Sequence, residues 1–399
     1  MGDRQIPRNM KVDTIELDGD TLSASKRVEV ASKQFETPVK ALQVGKLRAS
    51  EKVSPLARGI VEIYGKASAA ALTNSRSGWT GLAKKLERQE KNAHNDEFVV
   101  PFIEYDDSSN LEAENAAEIA KLQTNYGDIL TVPLMSELVD AAEDGDGRTT
   151  PHVTAIIENT KQFLKAVDKL GVDKPVMGVI PPISHDCTQA LVDVYLDHGL
   201  RAYCVDFNRR SPMAQSQIDH VINPLMQSLS SYNTREESLL YGVNANDSRP
   251  VTGKRRTSDA VYAYTLGFDI VGDNHIAPKL PEEVFEELAK KAAKGEVELK
   301  LFDIDTVSIV EVPVSELGSF LPDDAEIPVD RIQDRIKQDP DEQYRFTKLI
   351  NAELISLYLE SEGGIDPQKI FVDLRTGAYT QNSDLERVRE LSTEVLSGS

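Results

Sequence analysis

The chain is short of cysteine, of long apolar runs and of positive charge. Cys187 and Cys204 are its two cysteines, too few for a disulfide framework or a multi-cysteine zinc site. No apolar run approaches the ~18 residues a membrane span needs, so no membrane partner is expected. The opening MGDRQIPRNMKVDTIELDGD has no apolar h-region, which argues against a signal peptide and for a cytoplasmic protein. No Gly-x-Gly-x-x-Gly or Walker-type loop follows any apolar run, which argues against nucleotide-cofactor folds. Acidic residues outnumber basic ones 66 to 45, for a net charge of −21. Phosphate binding favours a positive surface, but a diffuse acidic excess also keeps halophilic proteins soluble. The acids are spread along the chain, and concentrated salt screens charge within a few ångströms. The composition therefore predicts a halophilic protein and leaves a nucleic-acid substrate open.

What is present is a regular alternation. Short runs rich in Val, Ile, Leu or aromatic residues recur at 35–44 (FETPVKALQV), 59–65 (GIVEIYG), 98–105 (FVVPFIEY), 128–134 (DILTVPL), 175–182 (PVMGVIPP), 201–207 (RAYCVDF), 239–245 (LLYGVNA) and 268–273 (FDIVGD). Each is bounded by Gly, Pro, Asn or Asp, as strands are. Amphipathic helical stretches at 113–127, 154–171, 187–199 and 258–267 lie between them, each ending in glycine. This predicts βα units around a parallel sheet. Seven or eight such strands favour a closed (β/α)8 TIM-like barrel over an open doubly wound sheet. The expected fold class is α/β, with the barrel over residues 35–280. Residues 1–34, polar and without clear period, read as an N-terminal arm, and 281–399 as an α+β extension. In that extension 281–296 and 344–361 read as helices and 297–314 as one or two strands. The run 370–377 (IFVDLRTG) reads as a last strand, a candidate for the eighth of the barrel.

Catalytic groups of a parallel barrel sit at the C-terminal ends of its strands. That rule selects Asp106 and Asp107, His185 and Asp186, Asp206 and Asn208, Asn244 and Asn246, and Asp273, Asn274 and His275. An aspartate after a strand is commonly a helix cap or turn residue, yet carboxylates after at least three strands would share one rim. Two basic clusters, Asn208-Arg209-Arg210 and Lys254-Arg255-Arg256, fall in loops on the same rim and are candidate phosphate contacts. A metal site of His185, Asp186 and His275, as in a barrel hydrolase, is an alternative chemistry, although no His-x-His pair supports it.

Several of these segments, in order, resemble the tRNA-guanine transglycosylase superfamily. FETPVKALQV is similar to the family's Glu-Thr-Pro opening, and FVVPFIEYDDSS to the strand ending in Asp-Ser-Gly-Gly-Phe-Gln, with Asp106 or Asp107 at its aspartate. EIAKLQTNYGDILTV, VMGVIPPISHDCTQALVDVYLDHGLRAYCV and LLYGVNA followed by SDAVYAYTLGFDIVGD resemble later segments, the last of them the one that carries the family nucleophile. The similarity covers about 60% of the chain. Ser108, Ser109 and Asn110 replace the Phe-Gln region, Leu134 or Met135 the base-reading aspartate, Pro181-Pro182 the Gln-Gly, and Asp206-Phe207-Asn208 the Gly-Gly. The family's zinc site is absent. This pattern is closer to divergent relatives, known from bacteria and from viruses including those of halophilic archaea, that insert a 7-deazaguanine into DNA.

The resemblance implies exchange of guanine in DNA, or in tRNA, for a 7-deazaguanine base (preQ0-type) through a covalent aspartyl–glycosyl intermediate, without a cofactor. The family spaces its two acids three apart, whereas Asp269 and Asp273 are four apart. Asp273, at the strand's C-terminal end, is the expected nucleophile, with Gly272 permitting a bulge that absorbs the extra residue. Asp107, or its neighbour Asp106, is the expected proton carrier. Asp206, Asn208, Gly242, Asn244, His275 and Asp269 are expected around the base, and Arg209, Arg210, Lys254, Arg255 and Arg256 on the nucleic acid. A homodimer is a candidate assembly. A catalytically silent relative that binds nucleic acid or pairs with an active subunit is the second reading.

Overall fold

The computed structural model describes residues 10–48, 51–73, 76–143, 151–247, 253, 255–276, 282–294, 296–360 and 366–397. Three antiparallel strands come first, β1 (Met10–Leu17), β2 (Ala24–Val30) and β3 (Lys33–Thr37). Eight short strands with parallel pairing follow: β4 (Val39–Lys40), β5 (Leu42–Gln43), β6 (Ile60–Ala67), β7 (Phe98–Tyr105), β8 (Leu130–Thr131), β9 (Val176–Ile180), β10 (Ala202–Asp206) and β11 (Leu239–Val243). Then come β12 (Arg256–Thr257), β13 (Ile270–Val271), β14 (Glu298–Asp303) and β15 (Ser308–Pro313).

The central layer is an α/β arrangement. A six-stranded parallel sheet has the order β4-β13-β11-β10-β9-β8, and a three-stranded parallel sheet the order β5-β6-β7. Backbone hydrogen bonds join the two sheets at both margins. On one side Val39 N donates to Asp269 O (3.0 Å) and Ala41 N to Val271 O (2.9 Å), while Leu42 and Gln43 pair with β6. On the other, Leu134 N donates to Ile103 O (3.0 Å) and Tyr105 N to Leu134 O (2.8 Å). Helices cover these strands from outside, among them Ala113–Tyr126, Pro151–Leu170 and His185–Asp197. With both faces covered, β7, β10 and β11 are buried along their whole length, which is why they read as unbroken apolar runs.

Two expectations are corrected. Residues 10–37 are not an arm but a sheet lying across the starts of the parallel strands. Lys26 Nζ donates to Ser238 O (2.7 Å) and pairs with Asp269 (3.0 Å), and Lys33 Nζ donates to Glu97 O (2.7 Å). Its strands alternate buried and exposed residues only in part, so polar side chains such as Lys26 mask the period. The run 370–377 is helical, not a last strand: Pro367–Thr376 starts at Asp366, whose carboxylate accepts from Gln368 N and Lys369 N (2.8 and 3.3 Å). An aspartate cap followed by proline is a helix start, and Ile370, Phe371 and Leu374 form the buried face. The pairing slips by one residue just after Gly272: its N–H donates to Gly242 O (2.8 Å), in line with the Gly242–Val271 pair, but Asn244 N donates to Asp273 O (3.1 Å) rather than to Gly272 O. The reading of 297–314 as strands agrees with the β14–β15 hairpin.

Candidate functional site

The C-terminal side of the parallel strands holds a buried polar network. Asp273, just after β13, pairs with Lys40 of β4 at 2.9 Å, and its backbone N donates to Glu62 Oε2 of β6 at 3.0 Å. Tyr241 of β11 donates its hydroxyl to Glu62 Oε1 (2.5 Å). A Cβ on Gly272 would fall 2.0 Å from Glu62 Oε1, so glycine is required there for Glu62 to approach the strand. His275 N donates to Asn244 Oδ1 (2.7 Å), Asn244 Nδ2 to Asp206 Oδ1 (2.8 Å), and Asn208 N to the same oxygen (3.0 Å). The His275 ring stacks on Tyr64, with centroids 4.8 Å apart and planes at 11°. Tyr64 donates its hydroxyl to Glu104, which lies 3.4 Å from Lys66; Lys66 pairs with Asp106 at 2.8 Å.

Burial and charge set the protonation of the two central aspartates apart. Desolvation raises Asp206 to about 6, against the hydrogen bonds from Asn244 and Asn208. Desolvation also acts on Asp273, but Lys40 and then Lys348 reverse it and hold that carboxyl below its ordinary value. The network is not saturated. Among the described residues, Asp206 Oδ2 and Asp273 Oδ2 are buried without a hydrogen-bond partner. His275 Nε2 lies 3.2 Å from Glu62 Oε2, within ion-pair range but off the line of a hydrogen bond. Such atoms cost about 1–3 kcal/mol each unless something satisfies them. Asn208, Arg209 and Asn244 have φ of 43°, 66° and 58°. Asparagine tolerates this region, but at Arg209 it costs about 1–2 kcal/mol, and strain of this kind gathers at binding sites.

No family model matches the chain, and a search of curated proteins returns no match. The site therefore stands on its own geometry.

That geometry brings together Asp206, Asn208, Asn244, Asp273 and His275 from the sequence-derived set. Asp106 joins through Lys66. Asp107 sits apart in a turn, where the Ser109 hydroxyl and amide hold its carboxylate below the usual range. Asp269 is at the opposite end of β13, buried against Lys26 and accepting from Leu240 N (2.7 Å). Gly242 is a packing position, since a Cβ there would meet Phe207 at 2.9 Å. Arg255 pairs with Asp303 (2.6 Å) and Arg256 with Glu311 (3.1 Å), which compensates both charges within the β12–β15 region. Arg209 lies 3.4 Å from Asp140, and Arg210 is half-buried. Lys254 lies outside the described residues. His185 and Asp186 are exposed at a helix start, and no group of three or more His, Cys, Asp and Glu among the described residues could hold a metal ion.

Reading by strand ends missed Lys40, Gln43, Glu62, Glu104 and Lys348. A signal existed for some of them. Glu62 and Glu104 are lone charges inside apolar strands, GIVEIYG and FVVPFIEY, and a buried charge needs a partner. A second missed group is basic. The helix Arg76–Glu90 packs on the turn at 44–46 so closely that a Cβ on Gly45 would meet Gln89 at 2.3 Å. Lys85 lies 5.3 Å from the Tyr64 ring centre, held below its ordinary pKa by desolvation and then by Lys46 and Arg88.

Proposed function

We propose that this chain is a base-exchanging glycosyl transferase built on a closed (β/α)8 barrel. Barrel closure is supported by the hydrogen bonds at both sheet margins, which lead from β5 through β6 and β7 to residues 130–134, then through β9, β10, β11 and β13 back to β4. The reaction class rests on one observation: two buried carboxylates in one hydrogen-bonded network, one raised to about 6 and one lowered. Divergent pKa values divide nucleophile from acid–base in such pairs.

Asp273, anionic beside Lys40, is suited to attack C1′ of a flipped-out nucleoside. The C1′–N9 bond breaks, and Asp206 supplies a proton to the departing guanine. The resulting Asp206 carboxylate then takes the N9 proton of an incoming 7-deazaguanine, whose nitrogen displaces Asp273 from C1′. Asp206 thus takes the proton-carrying role expected of Asp107, whose partly exposed carboxylate, stabilised by Ser109, is a poor acid. Lys46, Lys85 and Arg88 supply positive charge beside Tyr64 for the phosphates of DNA or tRNA.

Incubation with labelled guanine and either DNA or tRNA should give label incorporation and a trapped covalent adduct. Asp273→Asn should abolish both while the thermal transition remains cooperative; full activity in that variant would overturn the assignment. The catalytically silent reading has one observation in its favour, the internal pairing of Lys40 with Asp273. Nucleic-acid binding by the wild type without adduct or exchange would establish it instead.

A further inference from the structure

Lys348 enters the network from outside the parallel strands. It lies on the helix Glu342–Glu360 of the C-terminal extension, and its Nζ donates to Gln43 Oε1 (3.2 Å) and to the Asn274 carbonyl. An ammonium can only donate, so this bond fixes which end of the Gln43 amide faces it: the oxygen. The amide nitrogen is thereby turned to His275, with Nε2 3.0 Å from Nδ1. An amide nitrogen also only donates. Nδ1 must accept, and the ring proton sits on Nε2. The imidazole has little room to turn over, stacked on Tyr64 and with the Phe102 ring centre 5.4 Å away.

We infer that Lys348 is a positioning residue which, by way of Gln43, holds His275 in the Nε2–H tautomer and so makes the C-terminal extension part of the active site. The helix is fixed on both sides of Lys348. One turn earlier Arg345 makes paired bonds to Glu51 (2.6 and 2.9 Å) and donates to Lys46 O (2.8 Å). Further along, Glu353 accepts from Ser54 N (3.1 Å). The consequence is chemical. Nε2–H lies in the enclosed interior 3.2 Å from Glu62 Oε2, so the tautomer turns the ring's proton, and not a lone pair, towards that carboxylate. The same Glu62 Oε2 accepts from Asp273 N (3.0 Å), so on the base-exchange reading, on which this last step rests, the tautomer sets the wall that positions the nucleophile.

The test is nitrogen NMR of the full chain labelled at histidine, with the His275→Gln spectrum identifying the signal among the six histidines. The wild type should show a protonated Nε2 and an unprotonated Nδ1. Gln43→Glu places an acceptor against Nδ1 and should move a proton onto it. Lys348→Met frees the Gln43 amide to turn over and should populate both tautomers. A wild-type proton on Nδ1, or an unchanged tautomer in folded Lys348→Met, would overturn the inference; should Lys348→Met not fold, the wild-type and Gln43→Glu spectra still decide it. The Nε2–H tautomer in a protein without exchange activity would uphold the positioning role and defeat the base-exchange reading alone.

Discussion

Asp206 illustrates how a single residue can carry cost and function together. Its carboxyl is wholly desolvated, its Oδ1 receives two hydrogen bonds and its Oδ2 receives none. An aspartate whose pKa is higher folded than unfolded holds more protons in the native state between the two values. The stability it contributes is therefore complete below about 3.8 and lost as pH rises through about 6. Asp206→Asn keeps the acceptor oxygen and removes the titration. It should be near neutral at acid pH and stabilising by up to about 3 kcal/mol above the folded pKa. Urea unfolding across that pH range checks this, and an equal effect at both ends would show that Asp206 does not titrate as described. The same substitution should lower kcat/KM strongly and leave the residual activity without an alkaline fall near pH 6, since the free enzyme needs a protonated Asp206.

At the scale of elements, the helix Glu342–Glu360 shows what the sequence could and could not disclose. Its helical character is legible, although it is buried on most of its surface rather than along one face. The strands Phe98–Tyr105 and Leu239–Val243 are legible as well, because burial on both faces writes itself as an apolar run. The glycine stops are legible too, with Gly171, Gly199 and Gly267 at positive φ. Partners distant in sequence are not legible. Nothing in YRFTKLINAELISLYLES announces that Lys348 meets Gln43 or that Arg345 meets Glu51, 294 positions earlier. The central site was half visible for the same reason: strand ends point to Asp206, Asn244 and Asp273, whereas Lys40 and Glu62 depend on which strands lie side by side. The docking of this helix depends on Arg345, whose guanidinium neutralises the buried Glu51 and Glu342. Arg345→Met leaves the buried Glu51 without its cation, although Glu342 keeps its pair with Arg48 (2.6 Å), and should cost about 3–5 kcal/mol. Arg345→Lys should recover little, because an ammonium cannot reproduce the bidentate fork. Chemical denaturation measures both, and a loss below about 1 kcal/mol in the methionine variant would show that the helix is held by apolar packing alone.

For the whole molecule, the dominant quantity is a net charge of −21. Two sets of charges respond differently to salt. The ion pairs that join elements, Lys26–Asp269, Lys40–Asp273 and Arg345–Glu51, are buried and so are screened little. The surplus acids face solvent and repel one another over distances comparable to the Debye length, about 10 Å at 0.1 M salt and about 3 Å at 1 M. Adding salt therefore removes repulsion faster than it weakens attraction, and self-repulsion is what opposes the compact state. Tm should rise with KCl, most steeply below about 1 M, where the Debye length shrinks most. A rise that instead continues in proportion to concentration, and is larger in sulfate than in chloride at equal ionic strength, would signal exclusion of salt from the surface. A Tm that is flat or falling between about 0.1 M and about 1 M would remove charge repulsion as a determinant of this fold, and with it the expectation that the protein is adapted to concentrated salt.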